Sequence, residues 1–346
     1  VKVIDFLAEA YPRLNSMAQS LYLRSIKSTP LLYGQWYKQT NFLSSYPGLS
    51  RNVHRSLGRE KMLEILDSHK ADAIISTFPF PAGLLSELKG MGKLTIPIAT
   101  VITDYVLHLQ WVQPYTDHYF VATDWLKSSL IKRGVHPSRI HVTGIPVHEQ
   151  YSVRYDEEQL RKKYVLSPFL PTLLVMGGAY GNLPQIKKIC RYLAAQTHPI
   201  QLLIICGKNR LLKTYLEEEL KHSLHPIRIF GYVNQVHELM AISDLIITKA
   251  GGLTVSESLA IGCPMLIYRP IPGQEQGNTE YLKMAGAAVS AENLQEFQEV
   301  ITELLSNPTK IQKMGEIAKY LGRPQAARDI AHMILQETEA PKMIHS

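Results

Sequence analysis

The sequence predicts an α/β protein built from two Rossmann-like domains that face a cleft. Short apolar runs alternate with segments of helical periodicity along nearly the whole chain, a pattern typical of parallel sheets covered by helices. The pattern occurs in both halves, and a length of 346 residues is sufficient for two domains of roughly 150 residues each. We therefore expect two doubly wound sheets, with ligands bound at the carboxyl ends of their strands.

Each half of the chain contributes five predicted strands. They are 1–6, 73–76, 98–102, 119–122 and 140–143 in the first half, and 172–176, 202–206, 227–230, 244–248 and 265–268 in the second. The main predicted helices are 58–68, 125–132, 183–195, 209–222, 236–242 and 254–261. The charged segment 156–163 and the turns at Pro168 and Pro171 predict domains over 1–150 and 151–320, with helix 321–346 completing the first.

The composition is that of a globular protein without a membrane span. Hydrophobic residues make up 45% of the chain and charged residues 19%. The three cysteines show no C-x-x-C spacing, which favours a reducing compartment. No apolar stretch approaches the roughly 18 residues of a spanning helix, and no signal-peptide pattern opens the chain. We therefore expect a cytoplasmic protein that meets a membrane only at its surface.

Positive charge is concentrated between Arg13 and Lys61. This segment carries eight basic residues and one acid, which gives +7, the same as the formal net charge of the whole chain. Basic side chains near an anionic leaflet contribute roughly 1 kcal/mol each, and interleaved aromatic rings settle at headgroup depth. The segment is therefore expected to dock on the cytoplasmic face of an anionic membrane; single-stranded nucleic acid and an ordinary solvated helix face are the alternatives. The expected membrane contacts are Trp36, Tyr37, Arg51, Arg55 and Arg59.

The run Thr248–Glu257 predicts a phosphate site. Gly251 and Gly252 fall between a predicted strand and a predicted helix, where free backbone amides carry partial positive charge and no Cβ keeps an anion away. The amides of Gly251, Gly252 and Thr254 are thus expected to hold a diphosphate. Glu257, one turn into the helix, can accept hydrogen bonds from a ribose diol. The alternative is an ordinary tight connection between strand and helix.

Four further groups complete a predicted nucleotide-sugar site. A loop rich in proline and glycine carries an amide, a carboxylate and a second amide that are suited to grip sugar hydroxyls: Gln274, Glu275 and Asn278. A second predicted anion nest follows strand 172–176 and contains Gly177 and Gly178. Lys208 follows the next strand, and Tyr232 and Val233 follow the third, where main chain and ring can read a base.

No resident cofactor or metal is expected. The glycine loops match neither G-x-G-x-x-G nor G-x-x-x-x-G-K-[ST], so dinucleotide cofactors and P-loop chemistry lose support. The chain contains no D-x-D pair, which argues against a metal-dependent sugar transferase. His222 and His225 have the spacing of metal ligands, but without a third partner we expect plain surface residues.

Several segments resemble one known family. In the first half they are 98–104, 108–111, 119–124, 134–138 and 142–146, and in the second half they are 206–209, 248–257 and 272–275. They are similar to the processive diacylglycerol glucosyltransferases and the monogalactosyldiacylglycerol synthases, in glycosyltransferase family 28. The 253–257 stretch also resembles the peptidoglycan-lipid N-acetylglucosaminyltransferases, in which the matching Glu holds the ribose hydroxyls. The resemblance implies a GT-B fold.

The resemblance also implies an activity and its partners. It implies inverting transfer of glucose or galactose from a UDP-sugar to the free hydroxyl of diacylglycerol, with no nucleic acid involved. Asp104, at the end of predicted strand 98–102, and His108, four residues on, are the candidate bases. The alternative for Asp104 is that it caps the following turn, which Trp111 anchors.

The amino-terminal end differs from the family pattern. Members usually begin with a strand and a glycine-rich loop ending in His, whereas Val1–Phe6 resembles the family's second strand. By this comparison roughly 30 to 40 residues, one βα unit, are expected to be missing. An alternative function is therefore a nucleotide-sugar-binding GT-B protein without lipid transfer, either an epimerase or an inactive truncated form.

Overall fold

The chain forms two compact units. The computed structural model describes residues 1–12, 39, 52–178 and 183–339. The first unit comprises Val1–Ile145, Ile271–Gly273 and Arg328–Ser346, and the second comprises Pro146–Pro270 and Gln274–Ala327. The assignment of residues 1–150 to an acceptor domain and of residues 151–320 to a UDP-sugar donor domain stays a prediction.

The first unit contains a four-stranded parallel sheet in the order β1-β2-β3-β4. Its strands are β1 (Ile74–Ser76), β2 (Ile98–Val101), β3 (His118–Val121) and β4 (Ile140–Val142). Its helices are α1 (Phe6–Ala10), α2 (Asn52–His69), α3 (Pro79–Gly90) and α4 (Asp124–Ile131), together with 3₁₀ turns at Leu109–Trp111 and Pro137–Arg139.

Helices cover both faces of this sheet, which explains why β2 is buried along its whole length. Alternate residues of a strand point to opposite faces. Ile98 packs with Leu84 of α3, whereas Val101 packs with Ile330 and Ile334 of the last helix, which runs over Ala326–Glu339. The carboxyl-terminal helix is therefore part of the first unit's core.

The second unit contains a six-stranded parallel sheet in the order β10-β9-β8-β5-β6-β7. Its strands are β5 (Thr172–Met176), β6 (Gln201–Ile205), β7 (Ile227–Phe230), β8 (Leu245–Thr248), β9 (Met265–Tyr268) and β10 (Ala288–Ala291). Its helices are α5 (Glu157–Tyr164), α6 (Ile186–Ala194), α7 (Arg210–Glu219), α8 (Val236–Ala241), α9 (Gly252–Ile261), α10 (Gln274–Ala285), α11 (Leu294–Ser306) and α12 (Pro308–Leu321). A 3₁₀ turn at Glu149–Ser152 precedes them, and the last helix is α13 (Ala326–Glu339).

The strand order creates one reversal in the second sheet. From β5 the chain proceeds outward through β6 to β7, and it then returns to the other side of β5 to continue through β8, β9 and β10. The loops that follow β5 and β8 therefore leave the same edge of adjacent strands and diverge. Such a switch point is where open parallel sheets bind their ligands.

The predicted α/β class with two parallel sheets is confirmed, and most predicted strands lie within one or two residues of the observed ones. The predicted strand over 1–6 is wrong. Asp5 accepts a hydrogen bond from the Ala8 amide at 3.0 Å and caps α1, and within the described residues the preceding stretch pairs with no strand. β10 was not predicted, because its sequence AVSA is short and lacks the bulky residues that favour strands.

Candidate functional site

The glycine turn after β8 forms the amino terminus of α9. Gly251 is the N-cap, with extended backbone at φ −68° and ψ 137°. The amides of Gly252, Leu253 and Thr254 follow in the first helical turn, where no preceding carbonyl of the helix can accept them. A Cβ placed on Gly251 would meet no atom within 4 Å. The turn therefore offers backbone donors and open space to an anion.

A second glycine loop leaves the sheet beside the first. Gly177 is buried and Gly178 is exposed, directly after β5, which pairs with β8. Gly178 has φ +69°, a conformation that favours glycine. Both predicted anion loops thus begin at the switch point, although residues 179–182 lie outside the described part of the chain.

The first turn of α10 is tied to the loop between β8 and α9. Lys249 Nζ lies 3.0 Å from Glu275 Oε1, with each side chain less than one-fifth exposed. Asn278 is fully buried, and its Nδ2 donates to the Ala250 carbonyl at 2.9 Å. Two contacts of α10 therefore brace the main chain next to Gly251.

The expectation that these α10 residues lie on a loop is wrong. Gln274, Glu275 and Asn278 belong to α10, which begins at Gln274 directly after Gly273. Pro270, Pro272 and Gly273 suggested a loop, but they end at the helix start, and Gly273 has φ +110°. The helix turns Asn278 inward against the glycine loop, while Gln274 and Glu275 remain partly exposed.

Glu257 is a partly buried carboxyl group in the second turn of α9. The 3₁₀ turn that carries Tyr151 packs on this helix. Burial raises the pKa of Glu257 to about 7, and the interaction with the Tyr151 side chain acts in the opposite direction. Burial, and then the nearby Glu257 carboxyl, raise the pKa of Tyr151. Glu257 thus changes charge near neutral pH.

The predicted base-reading residues lie at the ends of β6 and β7. Lys208 Nζ is 5.8 Å from the centroid of the Tyr232 ring, a cation–π contact. Tyr232 is 61% exposed, so most of its ring is open to a planar ligand. Gly207 has φ +58°, and Val233 is half-buried beside Tyr232.

The two candidate bases differ in their surroundings. Asp104 is half-buried in the bend after β2, whereas His108 is 5% exposed. His108 Nδ1 accepts the Gln110 amide at 3.2 Å and caps the 3₁₀ turn that contains Trp111. His108 is thus the N-cap of the turn that contains Trp111, and the roles of Asp104 and His108 as candidate bases stay predictions.

The predicted membrane residues lie mostly beyond the described residues. Trp36, Tyr37 and Arg51 lie outside them, and Arg55 lies on α2. Arg59 pairs with Glu87 of α3 at 3.2 Å, with both side chains about one-quarter exposed. Its guanidinium therefore holds α2 against α3.

Neither a metal cluster nor a membrane-spanning helix occurs in the part of the chain that the structure describes. No group of three or more His, Cys, Asp or Glu side chains there can hold a metal ion. His225 Nε2 instead lies 2.8 Å from the Gln196 carbonyl. The described helices are too short or too polar to cross a membrane.

Two residues of this site escaped the sequence analysis. Tyr151 lies at a predicted domain boundary and far from Glu257 in sequence, so no local pattern links the two. Lys249 belongs to the glycine run, but the carboxylate that it pairs with follows only after β9. The sequence signal that could have identified Lys249 is its unusual position between an apolar strand and a glycine pair.

Sequence comparisons agree with this geometry. Residues 1–147 match the monogalactosyldiacylglycerol synthase family, and residues 172–332 match the glycosyltransferase family 28 C-terminal domain. A processive diacylglycerol beta-glucosyltransferase of Bacillus licheniformis is 34% identical over 341 residues, covering 98% of this chain and 87% of that protein. The Bacillus subtilis enzyme of the same name is 34% identical over 339 residues, with the same coverage.

Solved structures share the architecture at low sequence identity. MurG of Acinetobacter baumannii has a TM-score of 0.60 at 17% identity, covering 81% of this chain and 77% of that one. A UDP-GlcNAc 2-epimerase of Neisseria meningitidis has a TM-score of 0.59 at 18% identity, covering 84% and 83%. These likenesses confirm the predicted GT-B fold class and carry no further argument. The family matches and the relatives, which together span nearly the whole chain, show that it belongs to glycosyltransferase family 28, with the monogalactosyldiacylglycerol synthases and processive diacylglycerol glucosyltransferases.

Proposed function

We propose that this chain transfers a hexosyl group from a UDP-sugar to the free hydroxyl of diacylglycerol, with inversion at the anomeric carbon. The observation that carries the donor half of the proposal is the braced glycine turn at the amino terminus of α9, at the sheet's switch point. The acceptor half rests on the relatives, which are named for diacylglycerol and cover 98% of the chain. The same names favour glucose over galactose.

The donor is held by backbone amides and by three kinds of side chain. The amides of Gly251, Gly252 and Thr254 bind the diphosphate, and Gly177 and Gly178 face it from the neighbouring loop. Glu257 accepts the ribose hydroxyls. Tyr232, with Val233 and Lys208, contacts the base, and Gln274 and Glu275 contact the sugar. Because fixed dipoles supply the positive potential, we expect UDP to bind equally well in EDTA and in magnesium.

The proposed transfer needs no reactant other than the UDP-sugar and the acceptor. The acceptor oxygen forms a bond to the anomeric carbon while the bond from that carbon to the UDP oxygen breaks. The hydroxyl proton passes to the base, for which we propose Asp104. Negative charge grows on the leaving diphosphate, where the α9 amides stabilise it, and such preorganised donors are worth about 3–4 kcal/mol each.

A radiolabel assay on diacylglycerol in mixed micelles tests the proposal. We expect a labelled glycolipid from UDP-glucose, and less from UDP-galactose. Asp104→Asn should lower kcat by at least about a hundredfold while leaving the Kd for UDP unchanged, because proton transfer by a placed base contributes about 10²–10⁴. A chain that binds UDP-glucose tightly but makes no glycolipid would overturn the transferase and leave a nucleotide-sugar-binding protein.

The basic segment supports a second part of the proposal, that the chain docks on anionic membrane. Residues 13–61 carry +7 and alternate bases with aromatic residues. The acceptor stays in a bilayer, so a protein that reaches it by a surface contact needs attraction to that surface. Arg51, Arg55, Trp36 and Tyr37 are the proposed contacts. Arg59 contributes less, because its charge is paired with Glu87.

A further inference from the structure

A lysine pairs with a carboxylate next to the glycine turn. Lys249 directly follows β8 and stands two residues before Gly251, the N-cap of α9. Its Nζ lies 3.0 Å from Oε1 of Glu275 in the first turn of α10, and the two side chains are only 18% and 17% exposed. The pair therefore lies within the second unit, beside the backbone amides that are proposed to bind the diphosphate.

The attachment of α10 to this loop also has a neutral contact. Asn278 is fully buried, and its Nδ2 donates to the Ala250 carbonyl at 2.9 Å. A largely buried ion pair adds little net stability, because the cost of removing both charges from water offsets most of their attraction. The Lys249–Glu275 pair is therefore better explained by its effect on the carboxylate than by a contribution to folding.

The place of this carboxylate suits a contact with the donor sugar. In a UDP-sugar the hexose is bonded to the second phosphate, so it lies next to a diphosphate bound at the Gly251 turn. A carboxylate near a diphosphate is repelled by it, and burial of the carboxylate charge costs additional free energy. The Lys249 ammonium, 3.0 Å away, balances that charge. Glu275 can then serve as an acceptor beside the diphosphate.

We propose that Lys249 is a positioning residue for the donor sugar: its ammonium balances and orients the Glu275 carboxylate, which accepts the hydroxyls of the hexose. This inference rests on the proposed function, in which Glu275 contacts the sugar. A carboxylate has about four lone-pair sites, so it can face an ammonium on one oxygen and also accept from hydroxyl groups. Lys249 thus acts through Glu275, whereas the glycine turn acts through its own backbone amides.

Calorimetric binding of UDP-glucose and of UDP to the full chain tests the proposal. Lys249→Met keeps an unbranched side chain and removes its charge. It should weaken UDP-glucose about tenfold more than it weakens UDP, because only the first ligand carries a hexose. In a Glu275→Gln background, the same substitution should change both affinities by one common factor. A general loosening of the loop would instead weaken both ligands equally in either background.

The matched control is Lys283→Met, which removes an exposed lysine from the same helix and should leave both affinities unchanged. If Lys249→Met does not fold, Lys249→Gln takes its place, since its amide can still contact Glu275. The excess loss for UDP-glucose should then be about threefold.

Equal losses of UDP and UDP-glucose in the single Lys249 variant overturn the role of Lys249. An excess loss for UDP-glucose that persists in the Glu275→Gln background also overturns it, because the effect would then not pass through Glu275. Failure of the unaltered protein to bind UDP-glucose would instead overturn the proposed function, so the two failures are distinguishable.

Discussion

At the scale of the residue, the surroundings of Glu257 change the pKa of its carboxyl group. The same carboxyl on an exposed helix face would be ionised at all physiological pH values. In α9, where Glu257 is partly buried, desolvation raises its pKa to about 7. A group of this kind couples folding to pH, because its charge is costly inside the protein, and under the proposed function its ionised form accepts the ribose hydroxyls.

We predict that Glu257→Gln gains stability relative to the unaltered protein as the pH rises. The folded-state pKa, about 7, lies above the ordinary value of 4.5, so the stabilisation from the neutral carboxyl is complete below about pH 4.5 and is lost as pH rises through 7. Glutamine stays neutral throughout. Urea unfolding should show the difference between variant and parent growing by about 2 kcal/mol from pH 5 to pH 8. Glu299→Gln, an exposed change on α11, serves as the control, and a pH-independent difference for Glu257→Gln would contradict the prediction.

We predict that Asn278→Ala weakens UDP and inorganic diphosphate by similar factors. Its side chain donates to the Ala250 carbonyl next to Gly251, so its loss should loosen the phosphate loop and cost about 1–3 kcal/mol of stability. Competition binding with both ligands measures the effect. Gln276→Ala, exposed on the same helix, should leave both affinities unchanged. A loss confined to UDP-glucose would make Asn278 a sugar contact after all.

At the scale of the element, the two glycines that flank α9 are needed for different physical reasons. Gly251, before the helix, has ordinary extended backbone and open space at its Cβ position. Gly262, after the helix, has φ +84° and would place a Cβ 2.9 Å from the Cβ of Lys319. Gly251 leaves the space beside the first helical amides open, and Gly262 ends the helix and lets α12 approach.

Alanine substitutions should distinguish the role of Gly251 in binding from the role of Gly262 in stability. Gly251→Ala is expected to keep the stability of the parent but weaken UDP about tenfold, because the new methyl group fills the space beside the amides. Gly262→Ala is expected to lose about 1–2 kcal/mol of stability through its left-handed backbone and leave UDP affinity unchanged in the folded protein. Thermal unfolding and UDP titration on both variants give the comparison. Loss of stability in Gly251→Ala without loss of affinity would remove the phosphate role.

At the scale of the whole molecule, the basic segment predicts a salt-dependent association with membrane. Arg51→Gln with Arg55→Gln should reduce binding to vesicles that contain anionic lipid, by about 1 kcal/mol per charge, while the Kd for UDP stays constant. Binding should also fall as salt rises past physiological strength. Lys162→Gln with Lys221→Gln removes the same charge from exposed lysines of the second unit and is the control. Equal vesicle binding by both double variants would leave the segment as an ordinary solvated surface.

The sequence alone predicted the α/β class, the two parallel sheets and the position of the glycine turn. Buried parallel strands such as β5 and β8 read as unbroken apolar runs, since both faces are covered, and the glycine pair stands directly after one of them. The family resemblance rested on the same local segments. A buried strand or a glycine turn can be recognised in the sequence because its backbone geometry depends on residues that are neighbours in the chain.

Only the tertiary structure decided which distant groups meet at the site. The adjacency of β5 and β8 makes the switch point, yet six strands can pair in many orders with the same apolar patterns. The packing of the 149–152 turn on α9, the Lys249–Glu275 pair and the Asn278–Ala250 bond each join elements that chain connectivity leaves apart. Their formation depends on strand order and on how helices pack on the sheet, and no local propensity of these residues encodes either.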